Sequence, residues 1–292
     1  MRRLIVNADD FGLTRGVNHA VAELHALGAL TSATLMARAG ATHEAVQHSL
    51  QTPALGTGCH VVLLDGMPVL SPGAIPTLVD RETGRFHATL GSFLRRALVG
   101  SVRGPEIEAE AAAQIAILQN LGLRLTHIDT HKHTHIFPTV LRPVLRAARA
   151  AGVTVVRNPF EPTWGRRATC KAAFVRRMEV SLLGWLEPAF RRIAAEEGFA
   201  TTDGSIGVLA TGSLDAPTIR SLLESMPPGT WELVTHPGYN DNDLERVQTR
   251  LRESREIECE ALKLIAEVSG VELISFAELS AVERVRSFGS SS

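Results

Sequence analysis

Residues 127–135 read His-Ile-Asp-Thr-His-Lys-His-Thr-His, so acidic or imidazole side chains recur at His127, Asp129, His131, His133 and His135. If the segment is extended throughout, a period of two points all five to one face. Imidazole with carboxylate is the usual donor set for zinc and similar ions. The four histidines cannot all be ligands, so some are expected to orient the others or to meet a substrate. Near the start of the chain, Asp9 and Asp10 stand side by side in Asn-Ala-Asp-Asp-Phe-Gly, directly after an apolar run. Two adjacent acids there are costly unless cations or hydrogen-bond donors receive them. The bland alternative has Asp10 capping the next helix and Asp9 in solvent, but a cap seldom needs two acids. The functional reading gives one carboxylate to a metal, while its neighbour points to the other side as a general base.

Three further residues gain meaning only beside these. His60 interrupts the apolar stretch 58–64, where a lone histidine is more often a satisfied core residue than a ligand. Arg157, in Val-Arg-Asn-Pro-Phe, reads alone as a surface charge; near a paired carboxylate it would hold one acid ionised and aimed. His236 precedes a Pro-Gly turn, which fixes an exposed side chain.

The elements that must position these residues are short apolar runs at 4–7, 31–36, 56–63, 125–129, 154–156, 207–210, 232–235 and 272–275. Most are too apolar to alternate, as expected of parallel strands covered on both faces. Helices between them have identifiable ends. One follows Gly104, with Pro105 in its first turn, Glu106 and Glu108 on the favourable end of the dipole, and Gly122 as a stop. Another runs from near Pro138 to Gly152. Repeated strand–helix units predict a parallel α/β fold, and polar residues collected at C-terminal strand ends favour a distorted TIM-like (β/α) barrel, a single domain, over an open sheet.

With 30 Lys+Arg against 31 Asp+Glu, no basic footprint argues for nucleic acid. No apolar run reaches the ~18 residues of a membrane span, and the first strand is too short for a signal-peptide core. Three widely spaced cysteines, Cys59, Cys170 and Cys259, fit a reducing cytoplasm.

Taken together these residues resemble the YdjC-like carbohydrate deacetylase family over nearly the whole chain. The pieces that carry the resemblance are VNADDFGLTRGVN, TSATLM, GCHVVLL, THIDTHKHTHIFP and THPGY, in that order. The resemblance implies a distorted TIM-like barrel and one divalent metal ion held by an Asp and two His, here Asp10, His60 and His131, with Asp9 as general base. Polysaccharide deacetylases share this chemistry, and their Arg-x-Pro-aromatic motif looks like Arg157-Asn158-Pro159-Phe160. That likeness implies that Arg157 buttresses Asp9 and that His236 is the general acid. Asp129, His133, His135, Phe160 and Tyr239 are then expected to contact substrate or to orient the ligands. The donor set leaves the ion open among Zn, Mn, Co and Ni, and the family resemblance adds Mg. Within the family, Thr201-Thr202-Asp203-Gly204 and the overall texture are similar to the hopanoid-biosynthesis-associated branch, which implies an N-acetylglucosaminyl glycolipid in place of a chitooligosaccharide. Two rival readings are a metal-dependent phosphoesterase or amidohydrolase, suggested by the His133-x-His135 pair, and a non-catalytic carbohydrate-binding barrel.

Residues 164–197 interrupt the strand–helix rhythm as a helical insertion or lid, mixing basic and aromatic side chains. Such segments lie on anionic bilayers or cover sites, so peripheral contact with the inner face of a membrane is an expectation, as is a homodimer. The barrel is expected over residues 1–286, followed by a frayed tail at 287–292.

Overall fold

A computed structural model of the chain describes residues 1–247 and 251–279. The barrel's predicted end at 286 and the tail 287–292 lie outside the described residues. β1 (Arg2–Phe11), α1 (Arg15–Ala26), β2 (Ser32–Leu35), α2 (Thr42–Gln51) and β3 (Gly56–Val61) form the first repeats. A long connection then leads to α3 (Leu90–Leu98), α4 (Gly104–Asn120), β4 (Ile128–Thr130), a 3-10 segment His131–Ile136 and α5 (Pro138–Ala150). The second half holds α6 (Thr163–Ala168), α7 (Phe174–Leu183), α8 (Glu187–Glu196), β5 (Gly204–Ile206), α9 (Ala216–Ser225), β6 (Gly229–Thr235), α10 (Asn242–Val247), α11 (Arg252–Leu262) and β7 (Glu272–Leu273).

The strands pair in parallel in the order β4-β3-β2-β1-β6-β5, with β7 against the start of β1. Single bridges, Ile128 to Val156 and Val155 to Ala200, span the gap between β4 and the segment entering β5. The sheet therefore curls into a distorted TIM-like barrel. The expected strand 154–156 contributes only these bridges, because Pro159, which has no N–H, soon carries the chain out of the wall. The expected strand 207–210 is also displaced: β5 ends at Ile206, and Gly207 turns away at φ +85°. A Cβ there would stand 2.9 Å from the Val234 carbonyl oxygen, so the turn needs glycine.

Helix ends follow the sequence closely. α4 begins at Gly104 with Pro105 in its first turn, and Gly122 follows it at φ +96°; α5 starts at Pro138 and Gly152 follows at φ +78°. The larger apolar core lies between the sheet and its helices. A smaller cluster of Ile5, Val155, Ile274, Phe276 and Leu279 plugs one end of the barrel interior. Above that plug the interior is polar. The segment 164–197 divides: α8 packs on α5 and buries Phe190, Ile193 and Ala194 as an ordinary barrel helix, so the insertion proper is α6 and α7. Among the described residues no helix is long and apolar enough to cross a membrane.

Glu161 ties the start of this insertion to the loop after β5, accepting from the Leu209 backbone N–H at 2.5 Å. Burial pushes its carboxyl up to about 7, against the hydrogen bonds from Leu209 and Gly207. An acid raised in this way stays neutral in the fold where the unfolded chain has already ionised. Its cost is therefore absent below about pH 4.5, grows as pH rises and is complete above about pH 7. Glu161→Gln is expected to flatten the fall in unfolding free energy across that window by up to ~3 kcal/mol. Urea titrations at about pH 5 and pH 8 measure it; an unaltered pH slope would mean that the carboxylate is charged in the fold.

Candidate active site

The two acids of β1 would point to opposite faces of a regular strand. They do not, because the pairing of β1 with β2 slips between Ala8 and Phe11 and Asp10 adopts φ +63°. This bulge turns both carboxylates toward His60, and the pair then divides by its partners. Asp9 is received by Arg157, whose Nη1 and Nη2 donate to its two oxygens at 2.8 and 2.6 Å. Asp10 is received by Arg255 of α11, whose Nη2 donates to Oδ2 at 2.5 Å. Burial alone would raise both carboxyls, yet the two guanidiniums hold them well below the usual carboxylate range.

Arg157 is fully buried and its guanidinium is shared among three acids. Besides Asp9, it meets Asp129 Oδ2 at 2.5 Å and Glu232 Oε1 at 2.6 Å. Burial raises Glu232 to about 7 even against that contact. His135 lies beneath: its Nδ1 pairs with Thr130 Oγ1 at 2.7 Å and its Nε2 with the Arg157 carbonyl at 3.3 Å. It therefore orients Arg157 and does not face the acid pair.

Asp10 Oδ1, by contrast, is buried with no hydrogen bond of acceptable geometry. His131 Nδ1 stands 3.2 Å from it and His60 Nε2 3.6 Å. His60 Nδ1 is taken by Asp129 Oδ1 at 2.7 Å, which leaves Nε2 to face the cluster. Burial would lower His60, but Asp129 raises it to about 9. Asp10, His60 and His131 thus offer three donor atoms within 4.8 Å of one another and could hold a metal ion. A carboxylate behind a ligand histidine is the usual means of fixing its ring. A second group, Asp9, His60 and Asp129, is equally compact. Its two acids already receive the Arg157 guanidinium, which fills the place a second ion would take.

The histidine block does not run extended. β4 ends at Thr130, and residues 131–136 form a 3-10 segment in which Lys132 and His133 adopt φ +54° and +53°. Only His131 reaches the donor cluster. His133 keeps a buried Nδ1 without a partner, while His127 stacks on Phe276 at 3.9 Å and is lowered by burial to about 3. His127 thus belongs to the barrel floor, and Gly58 leaves room for it, since a Cβ there would lie 2.5 Å from the ring.

His236 follows β6, with Nε2 3.8 Å from Asp9 Oδ2. Its backbone N–H donates to Glu258 of α11 at 2.6 Å, and burial lowers its ring to about 4. Phe160 is buried against Phe190 at 5.6 Å between ring centroids, and the Tyr239 hydroxyl of a half-buried ring donates to Glu23 of α1 at 2.6 Å. The stretch 201–204 likewise serves the barrel wall: Thr201 Oγ1 donates to the Val156 carbonyl and Asp203 receives the Thr230 N–H. Sequence reasoning missed Arg255, Glu232 and Glu258. Arg255 and Glu258 sit in Arg-Glu-Ser-Arg-Glu-Ile-Glu-Cys-Glu, where nothing distinguishes them from a solvated helix face.

The family model for YdjC-like proteins matches residues 3–264. A carbohydrate deacetylase of Brevibacillus brevis is 32% identical over 282 residues, covering 95% of this chain and 99% of that protein. A chitooligosaccharide deacetylase of Serratia marcescens is 41% identical over 152 residues, 51% of this chain and 57% of that protein. A crystal structure from Enterococcus faecalis V583, described as a cellobiose-phosphate cleavage protein, superposes with a TM-score of 0.74 at 26% identity, covering 95% of this chain and 98% of that one. A lactam utilization protein of Thermus thermophilus shares the fold at a TM-score of 0.50 and 13% identity, over 94% of this chain and 99% of that one.

Proposed function

Because the chain belongs to the YdjC-like family, we propose that it hydrolyses the N-acetyl group of an N-acetylated amino sugar, releasing acetate and a free amine. The observation that carries this reading is a set of three donor atoms, on Asp10, His60 and His131, gathered within 4.8 Å of one another beside a carboxylate, Asp9, that is not among them. Asp10, His60 and His131 would hold one divalent ion, which when bound polarises the acetyl carbonyl and acidifies a nearby water. Asp9 accepts the proton of the attacking water, and Arg157 fixes both of its oxygens so that its direction is set before substrate arrives. As the water oxygen bonds to the carbonyl carbon, the C–N bond breaks and the nitrogen takes a proton. His236 is suited to deliver it. Because burial keeps its ring neutral at rest, it must first gain that proton, and Asp9 is the carboxylate beside its Nε2.

A two-metal phosphoesterase is disfavoured by Arg157, whose fixed charge stands in the second acid–imidazole group. A hopanoid-type glycolipid remains the narrower substrate within the proposed class, although residues 201–204, which suggested that branch, lend it nothing from the site. The test is acetate release, by mass spectrometry, from N-acetylated chitooligosaccharides and N-acetylglucosaminyl lipids, with elemental analysis of the protein. One ion per chain and chelator-sensitive acetate release are expected; no acetate from either class would end the reading. His131→Ala should lose bound metal and at least about 10²-fold in turnover together, since it removes a donor atom while sparing the buried Arg157 network. Full metal content in that variant would remove His131 from the ligand set.

A further inference from the structure

α7 is built inside out. A surface helix normally turns its apolar stripe to the core and its charges to water. Here Phe174, Met178 and Leu182, one turn apart, continue to Trp185 as an outward strip with Val175 at its edge, and the two ends are 75% and 83% exposed. The cations point inward. Arg177 donates to the carbonyls of Arg166 and Thr169 at 2.7 and 2.8 Å, and Arg176 to that of Val208 at 3.2 Å. These bonds pin the helix to the body with its apolar face out. Scattered exposed apolar residues are ordinary, but a contiguous strip approaches the ~300–600 Å² at which a patch is usually functional.

Two observations say what covers it. First, α7 lies in the connection that leaves the barrel at Arg157 and returns through α8, and Arg176 ties it to the loop after β5. It therefore stands on the face of the barrel that carries the acids and histidines, where the strands end. Second, charge is segregated. Residues 163–183, from the start of α6 to the end of α7, hold five cationic side chains and one acidic, in a chain whose totals are 30 and 31. A second copy seated on this strip would bring two such clusters together, which like charge opposes. An anionic lipid surface meets both demands: acyl chains take the aromatic and aliphatic side chains, and headgroups take Arg167 and Lys171, the exposed cations of the same connection. We propose that α7 docks the catalytic face on an anionic bilayer. Docking in this sense does not depend on the hydrolytic reading, since it is measured without substrate.

The test is co-sedimentation of the whole chain with vesicles of phosphatidylcholine alone or mixed with phosphatidylglycerol. Binding to the mixed vesicles, weakened by salt, is expected, with at least about a tenfold loss of affinity in Leu182→Ser/Trp185→Ser. The double variant should keep its thermal midpoint and its activity on water-soluble chitooligosaccharides, which separates docking from hydrolysis. Absence of binding to mixed vesicles, or equal binding by the double variant, would overturn the proposal. So would a dimer in gel filtration that the double variant dissolves, because the strip would then belong to a second copy.

Discussion

Asp9→Asn is expected to reduce acetate release by about 10²–10⁴-fold while leaving one metal ion per chain. Asparagine keeps the size of the side chain and one acceptor oxygen but cannot take a proton from water. The three donor atoms on Asp10, His60 and His131 are untouched by the change. The variant should cost some stability, since Arg157 loses one of its three anionic partners, but Asp129 and Glu232 still hold the guanidinium. Metal analysis and turnover in the same preparation check the prediction. Wild-type turnover would move the base elsewhere, with Glu258 next to be tried; loss of the ion would draw Asp9 into the ligand set through its approach to His60.

Arg157→Met should be the most destabilising single change in the site. Removing one partner of a buried ion pair costs about 3–5 kcal/mol, because the other charge is left without water or counterion. Here three carboxylates lose the same cation, so the loss is expected at or above that range, against a total stability of about 5–15 kcal/mol for a typical domain. A lowered urea midpoint, or failure to accumulate folded protein, is the expected result. Arg157→Lys should recover only part of the loss, because one ammonium cannot match the two parallel bonds to Asp9. A midpoint within about 1 kcal/mol of wild type for Arg157→Met would mean that the acids protonate at little cost, and that Arg157 is not what holds them.

The acids of β1 and the histidine block were legible because residue type alone made them hard to explain as structure. Their geometry was not. Nothing in the order Asp-Thr-His-Lys-His-Thr-His announces that Lys132 and His133 turn left-handed, because that conformation is uncommon for any residue but glycine, even for histidine, and two in a row are imposed by what surrounds the turn. The same holds for Asp10, whose backbone decides that two adjacent side chains share a face. Helix ends were readable where proline and glycine punctuate them, as around α4 and α5. The strand at 154–156 was read as an equal member of the wall, yet it survives as two bridges, since hydrophobicity marks burial and not ladder length. Phe160 and Tyr239 were carried over with their motifs, and each turned out to be held by a neighbour far away in sequence. Arg255 and Glu232 were invisible for the same reason: their roles lie in pairings with residues 245 and 75 positions away.

The bond from Arg255 to Asp10 joins residues 245 apart. During synthesis the acid pair leaves the ribosome 245 residues ahead of the arginine. A nascent chain that has not yet reached residue 255 carries Asp10 without the guanidinium that receives its Oδ2 in the finished fold. Because closing so long a loop brings no return until both ends are present, this corner is expected to assemble late. Truncation before α11 is therefore expected to weaken the proposed metal site, since Asp10 loses the cation that holds it, even where the rest of the barrel has formed. The order of translation would thus act as a checkpoint: the proposed ion site is completed only once α11 has been made.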